Sequence, residues 1–88
     1  MPHRKSVTAE SKVFPLSLAT PRQPVRIHEI HGNEGQVKRL AEMGLVQHVH
    51  VQLASKGYWG PVLVRIGNVK LALDRELASG VLVERIPA

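Results

Sequence analysis

The side chains in this 88-residue chain best suited to doing chemistry are its histidines. His48 and His50 lie two apart in "QHVHVQL", where a period-two alternation sends Val49, Val51 and Leu53 to one face of a strand and His48, His50 and Gln52 to the other. His28 takes the outward position in an earlier alternating run, "VRIHEI", in which Val25 and Ile27 face inward. Directly opposed residues on neighbouring antiparallel strands have Cβ atoms about 4.5–5.5 Å apart, close enough for imidazoles to share a divalent ion. His28, His48 and His50 are therefore the candidate metal ligands, and Glu29 or His31 could add a further donor. Nitrogen ligands favour zinc over ferrous iron. The cofactor expectation is accordingly none required, with at most a weakly bound zinc or iron ion. The plainer reading, histidines solvated on the outer face of a strand, competes with this one and is the commoner case. His3, in the polar leader, has no assignable role.

Tyr58 and Trp59 are two of only three aromatic residues, and they fall in the loop sequence "ASKGYWGP". An exposed Tyr-Trp pair suits anchoring of a protein partner. A lid over the open end of a barrel explains it equally well. Recognition of proline-rich peptides would need a groove lined by more aromatics than the chain possesses. Catalysis finds no support, because there is no phosphate-cradling glycine loop, nucleophile elbow or carboxylate pair, and no Ser-His spacing suggests a nucleophile with its base. A binding or regulatory module, not an enzyme, is the expectation.

The elements that must position these residues can be read from local patterns. Three prolines in "FPLSLATPRQP" make an extended lead-in to the first strand, and Ile30 breaks that strand's parity, which signals a bulge or its end. Asn33 and Gln36 form a capping-box pair, followed by Val37, Leu40 and Ala41 on one helical face. Gly44 suits the left-handed residue just past a helix, with Leu45 packing back on Leu40. A second strand follows. "VLVRI-GN-VKLAL" then reads as a hairpin with Ile66 facing Val69, Val64 facing Leu71 and Val62 facing Leu73. Asp74 caps one helical turn, and Gly80 releases the chain into the closing strand "VLVERI". Five short strands with one helix fit a small, mainly β, partly open SH3-like barrel.

Bulk properties bound the rest. The chain is the size of one small domain, with residues 1–15 as a flexible N-terminal tail and 16–88 as the folded unit. The absence of cysteine excludes disulfides and thiolate sites. No apolar run suits a secretory signal or a membrane span, so the expected location is cytoplasmic, without membrane insertion. The net charge of +5 invites nucleic-acid binding. Arg4, Lys5 and Lys12 against Glu10 place two of those charges in the tail, and the other basic residues read as scattered among acids.

The ordered set "RLAEMGL", "GPVLVRIGN", "LAL" and "ELASGVLVE" resembles the bacterial ferrous iron transport protein A family (FeoA) over residues 16 to 86. The resemblance implies an SH3-like fold and a non-enzymatic role assisting FeoB, the membrane-embedded, GTP-hydrolysing ferrous iron permease, through its cytoplasmic GTPase region. A homodimer is compatible with it. Two departures stand out: the family usually has Pro-Gly turns where this chain has "PRQP" at 21 to 24 and "VQH" at 46 to 48. His48 takes the second glycine's place, which calls for a strained or reshaped backbone there. A similar domain ends iron-dependent repressors, but residues 1–15 are too short for a DNA-reading helix-turn-helix, so no DNA partner is expected. The alternative is a small basic SH3-like module that binds RNA, favoured by charge and disfavoured by the few stacking aromatics.

Overall fold

The computed structural model describes residues 13–56 and 60–86. Among these residues six strands form one antiparallel sheet: β1 (Val13–Pro15), β2 (Pro24–Ile30), β3 (His50–Lys56), β4 (Val62–Ile66), β5 (Val69–Leu73) and β6 (Val81–Arg85). Their spatial order is β1-β6-β2-β3-β4-β5, so the sheet is open, with β1 and β5 at its edges. A 3₁₀ turn (Leu16–Leu18) follows β1, helix α1 (Glu34–Glu42) links β2 to β3, and the short helix α2 (Arg75–Ser79) links β5 to β6. No helix among the described residues is long and apolar enough to cross a membrane.

The sequence pattern leads to five strands, and the sixth is β1. Its residues fall in the stretch read as tail, yet they pair with β6, Phe14 lying opposite Val83. Three residues are too few for alternation to be visible. Phe14 packs against the core beneath Arg85, whose Cζ lies 5.6 Å from the ring centroid, within cation–π range. The next residue but one, Leu16, is fully buried.

Helix α1 starts and stops where its sequence dictates. Asn33 Oδ1 accepts the Gln36 N–H at 2.8 Å, and the Asn33 N–H donates to Gln36 Oε1 at 3.0 Å, which satisfies two donors that helix geometry leaves unpaired. At the other end Gly44 has φ +91°, the Leu45 N–H donates to Leu40 O at 2.9 Å and the Gly44 N–H to Ala41 O at 2.9 Å. This is the Schellman arrangement. Leu40 and Leu45 are buried together, but Ala41 is exposed and Val37 only half-buried. The expected three-residue apolar face is narrower, with Leu40 its one buried member.

The core is aliphatic, with Val25, Ile27, Leu53, Val62, Val64, Leu73, Val81 and Val83 among its fully buried members. Ile30 joins its margin through a bulge: β2 pairs Ile27 with Val83 and Ile30 with Val81, leaving His28 as the extra residue. The hairpin pairs Val62 with Leu73, Val64 with Leu71 and Ile66 with Val69, the register read from sequence. Val69 is nonetheless 56% exposed, because the hairpin tip extends beyond the core. Asp74 caps α2, its Oδ1 accepting the Leu77 N–H at 2.8 Å.

Candidate functional site

Three strands bring one polar row together on the outer face. Arg26 of β2 stands opposite Glu84 of β6 on one side and His50 of β3 on the other. Arg26 Nε donates to Glu84 Oε2 at 3.0 Å, and Nη2 lies 3.0 Å from the same oxygen as an ion pair. The bulged His28 has Nδ1 3.8 Å from Glu84 Oε1, beyond hydrogen-bond reach. Glu29 and His31 pair with each other at 2.8 Å.

The sequence pattern sets His28, His48 and His50 on one shared face. The structure puts His50 at the first position of β3, opposite Arg26, and His28 at the bulge near Glu84. His48 is not on a strand: it occupies the preceding turn with φ +76°. Alternation simply continues from strand into turn there, so spacing alone extends the strand too far. Among the described residues, no group of three or more His, Cys, Asp or Glu side chains is arranged to hold a metal ion. Tyr58 and Trp59 lie outside the described residues.

His48 and Arg22, at φ +68°, are the two non-glycine residues with positive φ among those described. They sit in the two segments where Pro-Gly turns are expected from the resemblance. Backbone bonds fix both turns: the His48 N–H donates to Ile27 O at 2.7 Å, and the Arg22 N–H to Leu53 O at 2.8 Å. Gln47 adds a side-chain clamp, its Nε2 donating to His28 O at 3.0 Å. The left-handed backbone is therefore kept while glycine is not.

A second polar surface is absent from the pattern-based reading. Arg22, Gln52, Ala54, Arg65 and Lys70 line an open groove of about 300 Å³ that contains three cations and no carboxylate. The basic residues are thus not evenly scattered among acids once the chain folds. Its signal in the sequence is the lack of any Asp or Glu between residues 43 and 73, the span that contains β3, β4 and β5.

Six antiparallel strands in one sheet with two short helices, among the described residues, define a small, mainly β, SH3-like domain. The FeoA domain model matches residues 14–85, and the chain belongs to the FeoA family. A crystal structure of an iron uptake regulatory protein (FeoA) superposes with a TM-score of 0.75 at 28% identity, covering 84% of this chain and 97% of that one. FeoA of Stenotrophomonas maltophilia, complexed with zinc and described as a prokaryotic SH3 domain protein, gives 0.69 at 28% identity, covering 80% and 88%. A manganese-dependent transcriptional repressor shares the fold alone, with a TM-score of 0.77 at 13% identity over 84% of this chain and 42% of its own. No curated protein sequence matches the chain significantly.

Proposed function

We propose that this chain is a cytoplasmic accessory protein of bacterial ferrous iron uptake that acts without chemistry of its own, by contact with the GTP-hydrolysing permease FeoB. The observation that carries this reading is the FeoA domain match across residues 14–85. A structural relative at 28% identity points the same way, since it is described as an iron uptake regulatory protein. Several polar groups serve the fold: Asn33, Gln36 and Asp74 cap helices, and Arg26 and Glu84 tie β2 to β6. The contact falls on the cytoplasmic GTPase region of the permease, and Tyr58 and Trp59, which follow β3 in the sequence, supply its aromatic anchor.

Deletion of the gene in a host that depends on ferrous iron should reduce uptake to the level of a permease-deficient strain. Wild-type protein should restore it, and a Tyr58→Ser, Trp59→Ser variant that folds normally should restore it poorly. Uptake unchanged by deletion would overturn the reading, and full rescue by the double variant would remove the aromatic anchor from it.

A further inference from the structure

We propose that the outer face of β3, β4 and β5, together with the Arg22 turn, is a docking site for an acidic, extended peptide segment of a protein partner. The proposal concerns this surface alone and holds whichever protein supplies the segment.

Charge separation is the first observation. All three strands lie in the stretch of chain without Asp or Glu. Of the acids in the described residues, Glu84 is engaged by Arg26 and Glu29 by His31, while Glu34, Glu42, Asp74 and Glu76 lie on or next to the helices. Among the described residues, none of Arg22, Arg65 and Lys70 has an ion-pair partner.

Geometry gathers those cations. One cross-strand row runs Pro24, Gln52, Arg65, Lys70 across β2 to β5, so two like charges face each other directly, a destabilising arrangement that a bound anion would relieve. A third cation is added by Arg22, whose turn adopts the left-handed backbone and is tied to Leu53 O. The pairing of β3 with β4 shifts register between Leu53 and Ser55, making Ala54 the extra residue. Its small side chain lines the groove between the cations. Guanidinium groups suit bidentate pairing with carboxylates, and the lysine supplies a point charge beside them.

The row ends at an open edge. Among the described residues β5 has no neighbour beyond it, so a peptide strand laid alongside would pair its backbone with that edge and bring a side chain beside Lys70 as the next member of the row. Acidic residues at alternate positions would then share the outer face that carries the cations, with the one opposite Lys70 standing in the row. A nucleic acid cannot pair with the strand edge in this way. It would also need rings for base stacking, and among the described residues that line the groove none is aromatic.

The test is a titration of the isotope-labelled full chain, followed by amide chemical shifts, with three probes: a synthetic peptide of alternating Glu and Val, the matched Gln and Val peptide, and an oligothymidylate. The acidic peptide should shift the amides of Arg22, Gln52, Arg65 and Lys70 saturably, and the neutral peptide should not. An Arg65→Gln, Lys70→Gln variant should bind at least about tenfold more weakly. A Lys38→Gln, Arg39→Gln variant, altered on exposed positions of α1, should bind as wild type. Affinity should fall between about 0.05 M and about 0.5 M salt. Absence of saturable shifts, equal binding by the Arg65, Lys70 variant, or tighter binding of the oligothymidylate on the same residues would each overturn the proposal.

Discussion

Arg65 of β4 stands directly opposite Lys70 of β5, and neither is paired with a carboxylate among the described residues. Like charges placed opposite each other on antiparallel strands cost stability, on the order of 0.2–1 kcal/mol. Arg65→Gln should therefore raise the denaturation midpoint at low salt, and the gain should shrink as salt screens the pair. A midpoint that falls on substitution would show that Arg65 contributes more by packing than it costs by repulsion.

Gly44 and His48 make opposite expectations from one physical cause. Both have positive φ, and a Cβ added at Gly44 meets no atom within 4 Å, so Gly44→Ala introduces backbone strain and nothing else. It should cost about 1 kcal/mol. His48→Gly releases the same kind of strain while adding chain entropy to the unfolded state, for a net gain of up to about 1 kcal/mol. Urea denaturation of the two variants against wild type checks both signs.

Gly80 is a glycine for a different reason. Its φ is −86°, which any residue adopts, but a Cβ there would run into the His31 carbonyl oxygen. The His31 N–H donates to Gly80 O at 2.7 Å, so the two backbones cannot separate without losing that bond. Gly80→Ala should cost about 2–3 kcal/mol, more than Gly44→Ala, through overpacking and the loss of one hydrogen bond. Thermal melts of the two alanine variants side by side would rank them.

The histidine arrangement gives a metal-binding expectation. His48 stands in the turn at φ +76°, His50 opens β3 opposite Arg26 and His28 lies at the β2 bulge, so zinc should bind wild type and a His48→Ala, His50→Ala variant with the same low affinity in calorimetric titration. Clearly tighter binding by wild type would mean that these imidazoles converge on an ion, as the alternating pattern suggests.

Elements governed by local chemistry were legible from the sequence. Asn33 with Gln36, Gly44 with Leu45, and the Gly-Asn hairpin each depend on neighbours in the chain, and each takes the form that those residues require. Ile30 betrayed the bulge at His28 by falling out of phase. Nothing similar marks Ala54, since a small residue gives no parity signal, and the second bulge passed unseen. β1 was missed because three residues with a closing proline owe their strand form to β6 alone. His48 was misplaced because a turn residue can keep the alternation of the strand that follows it. The cationic groove is a tertiary product: Arg22, Arg65 and Lys70 are far apart in sequence, and only the strand order unites them.

Contact with the permease is tested most directly by co-purification of full-length detergent-solubilised FeoB with the tagged chain. The permease should be retained by this chain and not by an unrelated tagged SH3-like domain of similar charge. Equal retention by both domains, or recovery of all the permease in the unbound fraction, would contradict the claim.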